Sequence, residues 1–189
     1  MKPLDMFPSR VNALQARIKL DLANGAHLIV GIDGAGGVGK STLAKRLAEE
    51  FDGRLVSLDD YLDDHKGTYI PHLNYQRLKN DIYVLLSQDT PVLAIEGLCL
   101  LAALEQVGTN PDILVYIKCL DQDGEWYDEA ICNENRELNE VLDYLSKYET
   151  LPGIGDSDRE LATYHNKYRP VAKADFVLSK VIGPGHDIF

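Results

Sequence analysis

Apolar residues in this chain recur in two rhythms that alternate along its length. Continuous apolar runs of strand length occupy residues 28–32, 55–58, 92–95, 113–117 and 176–179. Unbroken runs of this kind predict strands covered on both faces, as in a parallel sheet. Helical spacing fills the gaps between them. Val11, Leu14, Ile18 and Leu22 return every three or four residues before the first run, and Asn24-Gly25 closes that helix. Leu43, Leu47 and Phe51 line one face of a second helix, which Gly53 stops. Leu78, Ile82 and Leu85/Leu86 predict a third, and Ile131, Leu138, Val141, Leu142 and Leu145 one long helix. Residues 150–156 read as a loop, and Ser157-Asp158-Arg159-Glu160 as a capping box opening a last helix that must end by Pro170. Strands alternating with helices predict an α/β fold around a parallel sheet. With no repeat and no low-complexity tract, 189 residues fit one domain over 1–189, in which 121–157 is a candidate lid.

Between the first strand and the helix after it stands Gly34-Ala35-Gly36-Gly37-Val38-Gly39-Lys40-Ser41-Thr42. This is G-x-x-x-x-G-K-S, a phosphate-cradling loop in its required strand–loop–helix context. Glycines let the backbone turn its N–H groups onto a phosphate, and the following helix points its positive end at the same anion. Lys40 is positioned to neutralise phosphate charge and the Ser41 hydroxyl to ligate Mg²⁺, so a nucleoside triphosphate is the expected ligand. Ligands of open α/β sheets bind at the carboxyl ends of the strands. The second strand ends in Ser57-Leu58-Asp59-Asp60-Tyr61 and the third in Ile95-Glu96-Gly97, each delivering a carboxylate to that edge. Phosphoryl transfer to an alcohol needs a base for the hydroxyl proton and an anionic group to hold hydrated Mg²⁺, and Asp59 and Glu96 divide those tasks. The alternative makes Asp59 a turn residue and Glu96 a strand-end charge. Asp60, Asp63 and Asp64 read as solvated loop charges.

Gly31-Ile32-Asp33-Gly34, Ser57-Leu58-Asp59-Asp60-Tyr61 and Ile95-Glu96-Gly97 together resemble the uridine kinase family of P-loop kinases, and the nicotinamide riboside kinases look similar at the same points. Tyr164-His165-Asn166-Lys167-Tyr168-Arg169 is similar to a Tyr-x-x-Lys-Tyr-Arg stretch of the riboside kinases, also followed by an apolar strand. The resemblance runs in order over residues 28–179. It implies a three-layer P-loop NTPase fold whose five parallel strands lie in the order 2-3-1-4-5. It implies ATP and Mg²⁺ as cofactors and a small-molecule hydroxyl acceptor of nucleoside type. Asp59 is then ribose contact and catalytic base, and Glu96 lies beside metal and substrate. His72 and Tyr75 fall where the acceptor pocket of such enzymes forms, with a surface role as the alternative. Tyr61 and Trp126 either stack on a base or sugar or pack in the core.

The charge pattern departs from that family in one place. Its members carry several arginines on a lid after the fourth strand, where they stabilise the transferring phosphoryl group. Here the stretch from Asp121 to Asp143 holds nine acidic residues and one basic residue, Arg136. Arg136 alone could serve, or Arg159, Lys167 and Arg169 could supply the charge from the last helix. Arg169 is the preferred candidate, against a helix-capping role, and a third outcome is a nucleotide-binding protein whose transfer is weak or lost. A GTP-dependent switch is the reading from another class. Asp121-Gln122-Asp123-Gly124 and Asn166-Lys167-Tyr168-Arg169 approach its motifs, but Arg169 stands where the guanine-reading carboxylate belongs.

Composition narrows the setting. A formal charge of −11 argues against nucleic acid and acidic membrane surfaces as partners. No apolar run approaches the roughly 20 residues of a membrane helix, and the first residues lack a signal-peptide pattern. Cys99, Cys119 and Cys132 have no C-x-x-C spacing and read as buried free thiols of a cytoplasmic protein. The histidines show no metal-ligand spacing, and no covalent-catalysis set is present. Nothing in the sequence points to an oligomeric state.

Overall fold

The computed structural model describes residues 6–63, 68–148 and 155–181. Five strands, β1 (Leu28–Gly34), β2 (Arg54–Ser57), β3 (Val92–Glu96), β4 (Ile113–Leu120) and β5 (Phe176–Val181), form one sheet in the order β2-β3-β1-β4-β5. Every pairing in it is parallel. Fold class and strand order therefore stand as the sequence implied.

Helices cover both faces because both faces of each central strand are apolar. On one side lie α1 (Met6–Ala23) and α2 (Lys40–Glu50), whose Val11, Leu14, Ile18, Leu43 and Leu47 pack with Val30, Ile32, Val115 and Leu178. Each such fully buried side chain contributes about 1.5–3 kcal/mol relative to exposure. On the other side α3 (Tyr75–Ser87) and α4 (Leu100–Val107) bury Leu78, Ile82, Leu100 and Leu104 against Leu93, Ile95 and Leu114. This gives the three layers expected of alternating α/β patterning.

The second half of the chain corrects two readings. The apolar spacing from Ile131 to Leu145 is split between α5 (Glu129–Cys132) and α6 (Leu138–Tyr148). The break is an Asx turn: the Asn133 side chain accepts from the Asn135 N–H at 3.0 Å, offering the backbone a partner that a helix would otherwise supply. The last long helix, α7 (Asp156–Tyr168), begins one residue before Ser157. Its cap is Gly155, whose N–H donates to the Asp158 carboxylate at 2.8 Å, while Glu160 is used elsewhere. A short α8 (Pro170–Lys173) follows, with the Glu134 carboxylate accepting from Val171 N–H at 2.6 Å and Ala172 N–H at 3.0 Å. Residues 150–154 of the anticipated loop, and with them part of the lid segment, lie outside the described residues. Among those described, no helix is long and apolar enough to cross a membrane. All three cysteines are free and buried.

Candidate active site

The phosphate loop begins where β1 ends. At Gly34 the backbone has φ +146°, and a Cβ there would sit 2.7 Å from the Ile117 carbonyl oxygen, so any side chain would push β1 and β4 apart. Gly39, at φ +95°, then turns the chain into α2 in a left-handed conformation that other residues adopt only at a cost of roughly 1–2 kcal/mol. Lys40 is the first helical residue, and its buried ammonium donates to the carbonyls of Gly34 at 3.1 Å and Ala35 at 2.7 Å. Burial pulls the Lys40 pKa below the usual lysine range, and Asp33, Glu96 and Asp59 oppose that shift with their charge. Val38 is packed into the core under the loop, as is Ala35.

One polar cavity of about 250 Å³ is lined by Gly36, Gly37, Gly39, Lys40, Ser41, Thr42, Asp59, Glu96 and Leu98. The loop, the Mg²⁺-ligating candidate Ser41 and the two strand-end carboxylates thus share one space. Glu96 ends β3, is 2% exposed, and accepts from the Ser57 hydroxyl at 2.6 Å. Asp59 lies in the 3-10 turn Leu58–Tyr61 after β2 and accepts from the Tyr69 hydroxyl at 2.6 Å. Tyr69 has no counterpart in the sequence reading. Its own N–H and that of Ile70 donate to the Glu160 carboxylate, so α7 grips the 3-10 turn Ile70–His72 that braces Asp59.

The acceptor-side aromatics are more occupied than the sequence suggested. Tyr61 is buried, donates to the Asp81 carboxylate at 2.9 Å and lies under the Arg77 guanidinium, which is core packing. The Tyr75 hydroxyl donates to the Ile70 carbonyl at 2.7 Å. His72 ends the short turn, half-buried. None of the three lines the phosphate cavity. A second cavity, about 190 Å³, shares Gly36 and Leu98 with it and continues along Tyr69, Cys99, Ser157, Asp158, Glu160 and Leu161.

Beneath the loop runs a buried polar network. Asp33 is fully buried on β1, accepts from Gly34 N–H at 2.8 Å and from the Tyr164 hydroxyl, and the same hydroxyl accepts from Leu101 N–H at 3.1 Å. Burial pushes the Asp33 carboxyl up to about 6, with the Tyr164 hydrogen bond first among the effects holding it back. Next to it the His165 ring accepts from the Tyr116 hydroxyl at 2.7 Å through Nε2 and donates to the Leu161 carbonyl at 2.8 Å through Nδ1. Burial draws His165 down to about 4, so this histidine is neutral, with its proton on Nδ1.

The candidate cations are dispersed. Arg136 donates to the Ala130 carbonyl at 3.0 Å and lies over the Tyr144 ring, inside the acidic segment itself. Arg159 donates to the Ser146 hydroxyl at 3.1 Å, and with Lys167 it borders a third cavity, of about 490 Å³, walled by Ile70, Ala102 and Tyr168. Arg169 is exposed and takes the left-handed position between α7 and α8 at φ 52°, its N–H bonded to His165 O at 3.0 Å. Its backbone thus caps α7, and Arg169 is not among the residues lining the phosphate cavity. Within the acidic segment, burial pushes the Asp128 carboxyl up to about 6, with the charge of Lys40 holding it back and Asp158 adding repulsion. Asn166 and Lys167 lie within α7 rather than at a strand end where a guanine-reading loop would sit. Trp126 packs edge-on against Tyr116, with the Lys118 ammonium 3.7 Å from its ring centroid.

No protein-family model matches this chain, and no curated protein matches it in sequence. Solved structures do match it in shape. A possible uridine kinase from Bacillus stearothermophilus superposes with a TM-score of 0.53 at 17% identity, covering 90% of this chain and 98% of the other. Shikimate kinase from Acinetobacter baumannii gives 0.39 at 16% identity over 86% and 89% of the two chains. Deoxyadenosine kinase from M. mycoides gives 0.34 at 12% over 85% and 93%. The likeness to the first of these is one of fold.

Proposed function

We propose that this protein is an ATP-dependent kinase that transfers the γ-phosphate to a hydroxyl of a small, nucleoside-like acceptor. The observation that carries the reading is the placement of Asp59 and Glu96 in the same cavity as the phosphate loop. Lys40 and the loop N–H groups hold the phosphates, and the start of α2 adds its dipole. Asp59 accepts the acceptor's hydroxyl proton, positioned by Tyr69. The donors present suit Mg²⁺: the Ser41 hydroxyl and the Glu96 carboxylate are hard oxygen ligands beside the phosphates, and Mg²⁺ takes one or two protein oxygens with phosphate and water completing its shell. When bound, the ion offsets charge on the transferring group. Catalysis then consists of positioning and charge stabilisation, with the acceptor entering along the cavity past Tyr69 and Cys99.

The test is an ATP-consumption screen over nucleosides, sugars and vitamins, repeated with Asp59→Asn. Turnover of one acceptor, lost in that variant while ATP still binds, is the expected result. A nucleotide-binding protein without transfer is the second reading, favoured by the nine acidic residues against one basic residue between Asp121 and Asp143, where lid arginines would serve. Tight ATP binding with no acceptor turned over would establish it. A GTP-dependent switch requires GTP to be bound far more tightly than ATP in a thermal-shift comparison.

A further inference from the structure

A triphosphate brings several negative charges to a protein whose formal charge is −11, and the loop's own lysine is one cation. Arg136, Arg159 and Lys167 are committed to contacts away from the phosphate cavity. Lys180, near the end of β5, is different. Its Nζ is 4.0 Å from the point that a Cβ on Gly39 would occupy, so the ammonium borders the phosphate loop from outside. Among the described residues Lys180 makes no ion pair. Its place is set by register: Lys180 pairs with Cys119 of β4, two residues past Ile117, which pairs with Gly34 at the start of the loop.

The strand order gives this cation a direction. Glu96 and Asp59 reach the loop from β3 and β2, on one side of β1, and Lys180 reaches it from beyond β4, on the other. A phosphate chain in the loop with its transferring end at Asp59 therefore has its nucleoside end towards β4 and β5. We infer that Lys180 is a nucleotide-binding residue, its ammonium pairing with the phosphate nearest the nucleoside from the β5 side of the loop. This rests on the nucleotide-binding part of the function proposed above. The site replaces part of the charge that the acidic segment after β4 does not supply. A strand-borne lysine is also a different device from a lid arginine: it is in place before closure, and it adds to ground-state binding rather than to the transferring group alone.

The experiment is calorimetric titration of ADP with Mg²⁺ into the wild type, Lys180→Met and Lys180→Arg, at low and high salt. Using ADP separates binding from transfer. Lys180→Met is expected to weaken ADP about tenfold, the scale of one charge-assisted hydrogen bond to phosphate, with the deficit shrinking at high salt. Lys180→Arg is expected to recover most of the loss, which a merely structural role would not produce. If Lys180→Met binds ADP as the wild type does, the inference fails and the kinase reading stands. If the wild type itself fails to bind ADP, both fall. The thermal midpoints of the free proteins report folding separately, and Lys180→Gln takes the place of methionine if that variant unfolds.

Discussion

The two flanks of the phosphate loop are built on opposite plans. On the β2–β3 side, short-range geometry decides everything: each strand ends, and the residue at or just past its end is a carboxylate facing the loop. On the β4–β5 side charge is abundant, but none of the candidate arginines lines the phosphate cavity. Arg136 caps a turn of the acidic segment, the Arg169 backbone closes α7, and the acidic segment holds a partly buried carboxylate, Asp128. A charged residue counts towards a site through where its backbone anchors it, not through its proximity in sequence to the lid. Lys180, unmarked by any motif, brings its ammonium to the edge of the loop at Gly39.

The comparison breaks most visibly at Asp59. Asp59→Asn is expected to lower turnover about 10²–10⁴-fold while leaving ADP affinity nearly unchanged. Steady-state kinetics and calorimetry together check it, and equal losses in both would return Asp59 to a structural role.

A second effect, of about 3 kcal/mol, is expected from His165. Burial holds its folded pKa at about 4, below the ordinary histidine value of 6.5. The unfolded chain therefore takes up a proton over that window which the folded protein refuses, and stability is lost as pH falls from 6.5 towards 4. Chemical denaturation of wild type and His165→Gln across this range isolates the histidine from Asp33 and Asp128, which titrate nearby in the opposite sense. The variant's deficit should be largest above pH 6.5 and shrink by about that amount near pH 4. A constant deficit would falsify a neutral buried histidine.

Tyr164→Phe is next, at roughly 1–3 kcal/mol, because it strips the Asp33 carboxylate and the Leu101 N–H of their shared hydroxyl. The denaturant midpoint measures it. The effect should reach the loop as well, raising the KM for ATP more than it lowers kcat, since Asp33 holds the Gly34 N–H.

Arg169→Gly should move least. Glycine suits φ 52°, so stability is expected to rise by up to about 1 kcal/mol, with turnover unchanged. A tenfold fall in kcat would instead restore Arg169 to the transfer step and dissolve the contrast between the flanks.

Local signals carried most of what the sequence revealed. Buried parallel strands announce themselves as apolar runs, and the phosphate loop, Asp59 and Glu96 all sit at the junctions those runs define. The rest depended on pairs distant in the chain. Tyr164 and Asp33 are 131 residues apart, and Glu160 and Tyr69 are 91 apart. Glu160 looked like half of a capping box because that pattern is local and its true partner is not. Asp33 did carry a signal, a charge inside an apolar run, and a buried partner could have been sought for it. The break at Asn133 was likewise legible, but the apolar spacing on either side of it argued for continuity.

The Tyr69 hydroxyl leaves one further mark on the site. It donates to Oδ1 of Asp59, so under the proposed function an incoming hydroxyl finds Oδ2 the less engaged oxygen of the base. A base of that kind is lopsided, with one oxygen held by the protein and the other turned to whatever enters. The direction from which a hydroxyl can approach is thus narrowed by a residue that never touches the phosphate loop, and Tyr69→Phe would widen it.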